Sequence, residues 1–342
     1  MKEPNRKKLK WQLPFLILLI LGTIYAIKYN PTAPYQKNEG KIFGTFYHAT
    51  YQYKENIQQE IIEELRKVDA SLSMFNKKSI ISQINRNEGA KPDSLFLEVY
   101  NLSRMVSEQT YGAFDITVAP LVNAWGFGFK NEVMPDSATI DSLCQFVGFK
   151  KISLVNDSIQ KQDERIILDC SAVAKGFGND VVARLFERKG IKNYIIEIGG
   201  EVVVKGINPS GKPWRVGINT PQDDPTQSNK SLQAILNLSE PIAMATSGNY
   251  RNFYYKDGKK LAHTIDPRSG YPVQHSILSS TVLAQNCATA DAYATAFMVL
   301  GLEKAQEVLN QHPELQVYFI FADEEGNLQT YITPSLKKMI LK

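Results

Sequence analysis

Apolar side chains recur at helical spacing over residues 54–72, where Ile57, Ile61, Ile62, Leu65, Val68 and Leu72 share one face. The spacing returns over 93–109 with Phe96, Val99, Leu102 and Val106, closed by Gly112. Two more helices are predicted: 137–147, capped by Asp136 and stopped by Gly148, and 171–189, stopped by Gly190. The pattern then changes to strands. Tyr194–Ile198 and Val202–Lys205 flank Gly199-Gly200, a hairpin signal. Trp214–Ile218, Leu232–Leu238, Phe253–Tyr255 and Ser279–Ala284 are further candidates. A helix over 287–300 and another near 303–310 precede Val317–Phe321 and a last strand near 328–332. Clustered strands and segregated helices, without a regular βαβ rhythm, predict an α+β fold of antiparallel sheets with packed helices. Residues 41–342 read as one unit, with no linker or composition break inside them.

The first thirty residues follow a different rule. Lys7-Lys8-Leu9-Lys10 precedes an apolar run from Trp11 to Ile27, broken only by Gln12, Pro14, Gly22 and Thr23. As a helix this run would reach about 25 Å, enough for a thin bilayer. A basic flank stays cytoplasmic, so the expectation is a single-pass inner-membrane protein with its body on the extracytoplasmic, periplasmic side. The segment reads as a signal-anchor or a signal peptide. Residues 31–40, with Pro31 and Pro34, read as a tether.

Charge sharpens this division. The chain of 342 residues has a formal net charge of +4, but six Lys and Arg and one acid fall within residues 1–30. The remainder holds 33 basic and 34 acidic side chains, so the body has no general field for nucleic-acid phosphates. Three cysteines exclude a disulfide framework, and without a C-x-x-C pair a zinc or iron–sulfur site is not expected.

Five segments look too specific for scaffold. Gly44-Thr45-Phe46-Tyr47 follows the tether. Gly112-Ala113-Phe114-Asp115-Ile116-Thr117-Val118 sets a carboxylate among apolar groups, where it needs a partner. In Leu168-Asp169-Cys170-Ser171-Ala172-Val173-Ala174-Lys175-Gly176, an acid closes a predicted strand and small residues open a helix. Free N–H groups there, with Lys175, suit a phosphate, although the Walker spacing is absent. Thr246-Ser247-Gly248-Asn249-Tyr250 leads to His263-Thr264-Ile265-Asp266-Pro267-Arg268-Ser269-Gly270, a turn signal behind a histidine able to titrate near neutral pH. His48, His275 and His312 lack such context and are expected at the surface or in packing. Finally, Asp291 and Thr295 stand four apart in a helix and so share a face. A carboxylate and a hydroxyl are hard oxygen ligands, fit for Mg²⁺. Each segment alone also fits a bland reading, as a loop cap, a solvated charge or a structural histidine.

Taken together and in order, the segments resemble the FAD:protein FMN transferases, the ApbE flavin-transferase family. The matching stretches are 112–118, 171–176, Ile-Gly-Gly-Glu at 198–201, 245–250, 263–270 and 290–295. The resemblance implies an enzyme that uses Mg²⁺ to move FMN from FAD onto a Thr or Ser hydroxyl of an acceptor protein, releasing AMP. It implies flavin contacts at Phe43, Phe75, Ala113, Phe114, Asp115, Asp169, Lys175 and Ile265. It implies metal ligands at Ala172 (through its carbonyl), Asp291 and Thr295, and a catalytic role for His263, with His263 or Asp291 as proton acceptor. Phe75 replaces an expected tyrosine and Phe43 a common methionine, while Arg268-Ser269 replaces a frequent Arg-Thr. Acceptors of the family include subunits of membrane redox pumps, which agrees with an exported body. The competing readings are a Mg²⁺-dependent FAD pyrophosphatase releasing FMN and AMP, and a flavin-binding protein without chemistry.

Overall fold

The computed structural model describes residues 14–23, 33–127, 134–221, 231–238, 240–249, 253–256, 259–262 and 264–341. Residues 14–23 form a helix, α1, whose apolar side chains from Phe15 to Leu21 are exposed. The remainder of the Trp11–Ile27 run lies outside the described residues. Among the described residues no helix is long and apolar enough to cross a membrane.

The body is built on one eight-stranded sheet in which every neighbouring pair is antiparallel. Its order is β1 (Tyr35–Ile42), β2 (Thr45–Gln52), β5 (Tyr194–Ile198), β6 (Glu201–Lys205), β9 (Ile242–Gly248), β12 (Ile277–Ala284), β13 (Gln316–Ala322) and β14 (Leu328–Ile332). Three two-stranded ribbons accompany it: β3 (Ile152–Val155) with β4 (Ser158–Lys161), β7 (Trp214–Asn219) with β8 (Leu232–Leu238), and β10 (Phe253–Lys256) with β11 (Lys259–Ala262). The alternation of side chains in β6 explains the layers. Val203 joins Ile61, Leu65 and Val182 on the helical face, while Val202 and Val204 join Trp214, Ile218 and Leu236 of the β7–β8 ribbon. The expected α+β class therefore holds, with helices on one face and a ribbon on the other.

Four helices supply the helical layer: α2 (Gln58–Leu72), α4 (Ser94–Gln109), α7 (Ala174–Arg188) and α8 (Cys287–Leu300). Shorter ones are α3 (Ile80–Asn85), α5 (Ala119–Ala124), α6 (Ser137–Cys144), α9 (Leu302–Gln311) and α10 (Pro334–Lys337). The periodicity placed α4, α8, β5, β8 and β14 closely. Asp136 caps α6 through a 2.8 Å bond from the Thr139 N–H. α8 is apolar around its whole circumference and buried along its length, with only Thr289 and Thr295 partly exposed, which marks it as the central core helix.

Three expectations need correction. The stretch 31–40 is not all tether: Tyr35–Ile42 is an edge strand bonded to β2 in full register. Its polar sequence, with Lys37, Glu39 and Lys41, suits an edge that must not attract another sheet and leaves little alternation to read. No strand precedes Asp169; instead the Leu168 N–H donates to the Asn85 Oδ1 and the Asp169 N–H to the Ile116 carbonyl. The following helix begins at Ala174 rather than 171, because the Val173 and Ala174 N–H groups turn back onto the Cys170 carbonyl.

Candidate active site

A cavity of about 750 Å³ opens where the β1–β2 turn, the end of α2, α5 and the start of α7 meet. Phe43 and Gly44, at the turn, both take positive φ, 49° and 72°. That turn lays the Phe43 ring on α7 at Gly178, where an added Cβ would stand 2.7 Å from the ring. Phe75 lines the cavity from the loop after α2 and is 69% exposed, so an aromatic ring stands at the cavity wall. Asp169 and Lys175 line it from the α7 side. Four of the eight expected flavin contacts, Phe43, Phe75, Asp169 and Lys175, are thus brought to one cavity.

The other four are not among its lining residues. Ala113, Phe114 and Asp115 are buried. The Asp115 Oδ1 accepts from the Thr117 N–H at 2.8 Å and the Thr117 hydroxyl at 2.7 Å, and its Oδ2 accepts from the Phe149 N–H at 2.6 Å. Burial raises the Asp115 pKa, against these bonds. This knot fixes the entry into α5, and through Ala119, Val122 and Asn123 of α5 the motif reaches the cavity. Ile265 packs with Leu121, Trp125 and Ile140 in a small core. Its turn is closed by the Gly270 N–H on the Asp266 carbonyl at 2.8 Å and held to the Trp125 indole N–H through the Gly270 carbonyl at 2.7 Å. His263 lies outside the described residues. As expected, His48 and His312 are paired with surface carboxylates and His275 is a packing residue beside Gly301.

The expected metal ligands lie at the junction of α7 and α8. Asp291 is 2% exposed, and its Oδ2 accepts the Gly176 N–H at 3.0 Å. That bond requires the two helices to touch. A Cβ on Gly176 would stand 2.4 Å from the Cys287 carbonyl oxygen, so only glycine fits. Thr295, one turn along α8, shares a 3.2 Å hydrogen bond with Ser247 of β9, so the fourth and fifth segments meet here. Ala172 stands two residues before α7, and the Gly176 N–H that would cap its carbonyl in a continuous helix is committed to Asp291. Carboxylate, hydroxyl and carbonyl form a hard donor set that fits a divalent cation of the Mg²⁺ kind. No group of three or more His, Cys, Asp and Glu is gathered among the described residues, so substrate oxygens or water must complete such a site.

Two residues outside the expected set organise the junction. The Lys175 Nζ lies 3.2 Å from the Glu201 Oε1 and 3.7 Å from the Asp291 Oδ2. Burial alone would lower the Lys175 pKa, but Asp291 and Glu201 outweigh it and raise it. Burial pushes the Glu201 and Asp291 carboxyls up, and the Lys175 ammonium beside both pulls them back towards the ionised form. The second residue is Asp180. Its two oxygens accept the Cys287 and Ala288 N–H groups at 2.7 and 2.8 Å, while Asn286 accepts the Thr289 N–H through its side chain and the Ala290 N–H through its carbonyl. The three N–H groups of the first turn of α8 that lack an intrahelical acceptor, those of Cys287, Ala288 and Thr289, are thereby satisfied. Glu201 was visible in sequence as the acid after Gly199-Gly200; Asp180 had no local signal, because its partners are 107 and 108 residues away.

The chain's likeness to known proteins bears on this site. The model of the ApbE family matches residues 43–319. The FAD:protein FMN transferase of Escherichia coli K12 is 34% identical over 317 residues, covering 89% of this chain and 88% of that protein. The FAD:protein FMN transferase of Haemophilus influenzae is 36% identical over 304 residues, covering 84% and 86%. The solved flavin transferase ApbE from Vibrio cholerae matches with a TM-score of 0.80 at 32% identity, over 90% of this chain and 99% of that one.

Proposed function

This chain belongs to the ApbE family, and from that premise we propose that it transfers FMN from FAD to a Thr or Ser hydroxyl of an acceptor protein and releases AMP. One observation carries the reading. A cavity lined by the aromatic rings of Phe43 and Phe75 is also lined by the half-buried ammonium of Lys175, which lies beside the carboxylate of Asp291. Aromatic faces suit the flat rings of FAD, and the ammonium suits its pyrophosphate.

In the reaction the acceptor oxygen attacks the phosphorus that carries riboflavin. The P–O bond to AMP breaks, and AMP leaves with the electron pair. The hydroxyl proton passes to His263 or Asp291. Lys175 faces the charge that builds on the phosphate oxygens, and its position is fixed before substrate arrives. Ala172, Asp291 and Thr295 would hold Mg²⁺, which when bound supplies neutralisation of pyrophosphate charge. Ala113, Phe114, Asp115 and Ile265 contribute by shaping α5 and the 264–272 turn around the flavin, and Asp169 by facing the cavity.

The proposal extends to location. The basic flank and the Trp11–Ile27 run support a membrane-held protein, with the body on the periplasmic side and a membrane redox-pump subunit as acceptor. The deciding experiment incubates the chain with FAD, Mg²⁺ and a candidate acceptor. Covalent flavin fluorescence on the acceptor band is expected, with one AMP released per flavin attached. Release of FMN and AMP at the same rate without acceptor would instead identify a pyrophosphatase. Protease added to intact spheroplasts is expected to digest the body; survival beside a digested external marker would refute the placement.

A further inference from the structure

The proposed reaction uses Lys175 and Asp291 but gives Glu201 no task. Yet Glu201 is 3% exposed, and its Oε2 has no hydrogen-bond partner among the described residues. A buried carboxylate in that state is costly unless its charge is used.

The backbone places it deliberately. Gly199 and Gly200 both take positive φ, 61° and 104°, and deliver Glu201 as the first residue of β6. The Asn179 amide donates to the Glu201 carbonyl at 3.1 Å and to the Lys175 carbonyl at 3.2 Å, tying the two backbones together. The lysine stem passes so close to Gly199 that a Cβ there would stand 3.1 Å from its Cδ. The Lys175 ammonium therefore has little freedom, and it sits nearer to Glu201, at 3.2 Å, than to Asp291, at 3.7 Å.

An ammonium and a divalent cation compete for one carboxylate. With Asp291 as its single counter-ion, Lys175 would close on it, and an arriving cation would leave a half-buried ammonium unpaired. We propose that Glu201 is a positioning residue that serves as the alternative counter-ion of Lys175, so that Asp291 is free to take a divalent cation while the ammonium stays in place. This rests on the reading of Asp291 as a cation ligand. It predicts that the damage from losing Glu201 is done by Lys175.

The test is Mn²⁺ binding to the purified full chain, followed by the spectrum of free Mn²⁺, with neither FAD nor acceptor present. E201Q is expected to bind Mn²⁺ about tenfold more weakly than the wild type, the usual scale for a residue that orients a ligand. The double variant E201Q/K175M, which also removes the competitor, is expected to recover wild-type affinity. E201L replaces E201Q if the latter does not fold. An unchanged affinity in E201Q would overturn the proposal, as would a wild-type chain that takes up no Mn²⁺. A double variant as weak as E201Q would also overturn it, by placing Glu201 on the cation itself. Flavin transfer is scored separately. A chain that transfers FMN but shows no E201Q effect defeats only this assignment, and one with the expected Mn²⁺ pattern but no transfer defeats only the proposed function.

Discussion

Asp115 and Asp291 are both buried, both raised in pKa by that burial, and both part of matched family segments, yet their surroundings differ in kind. Around Asp115 the protein supplies three neutral donors, two backbone N–H groups and one hydroxyl, and the carboxylate is enclosed. Around Asp291 it supplies one backbone N–H and a shared ammonium, with a second carboxylate close by. The first arrangement is closed and holds a loop in shape. The second sets two carboxylates against one ammonium, the surplus negative charge that the proposed cation would neutralise. Burial and a shifted pKa therefore do not separate a structural acid from a functional one; the identity of the partners does.

Substitutions at the two sites should therefore fail in opposite ways. D291A is expected to cut FMN transfer by two to three orders of magnitude while leaving the urea midpoint close to that of the wild type. A midpoint shift as large as that of a core truncation would make Asp291 structural. D115A leaves three buried donors without an acceptor and is expected to destabilise by about 3–4 kcal/mol. Equilibrium urea unfolding measures this, and a stable but inactive D115A would erase the contrast.

Acid response adds a third case. Burial raises Asp180 to about 6, against the two α8 N–H groups. The folded state then holds this proton more tightly than the unfolded chain. Its contribution favours folding below about pH 4 and is lost as pH rises through about 6, close to 3 kcal/mol in all. Urea midpoints taken from pH 4 to 7 should show this decline in the wild type and a flatter profile in D180N. Next in size, G176A must push α7 away from the Cys287 carbonyl. An expected cost of about 2 kcal/mol should come with a higher Mg²⁺ requirement for transfer, measured on the same preparation. Smallest is T295V, which keeps shape and removes one oxygen. A several-fold rise in the Mg²⁺ needed for half-maximal transfer is expected, with the melting temperature unmoved.

The contrast also explains how much could be read from the chain. α8 was legible as a long apolar run between Asn286 and Gly301, and β5 and β6 as short β-branched runs on either side of Gly199-Gly200. β1 was not, since an edge strand polar on both faces has no period to detect. Asp291 and Thr295 were legible as a pair because four residues of helix fix their relation. The role of Asp115 was not, because one of its donors, the Phe149 N–H, comes from 34 residues away. Glu201 stood in a matched segment, but its relation to Lys175 depends on how β6 docks against α7.

The capping of α8 by Asp180 bears on the order in which the molecule is made. α8 is too apolar to persist alone in water, and its first two N–H groups find their acceptor 107 and 108 residues upstream. During synthesis α7 and its acid leave the ribosome well before α8 does. The central helix thus emerges to find its cap and its glycine seat already present, and Asp291 meets Gly176 and Lys175 only when that late segment docks.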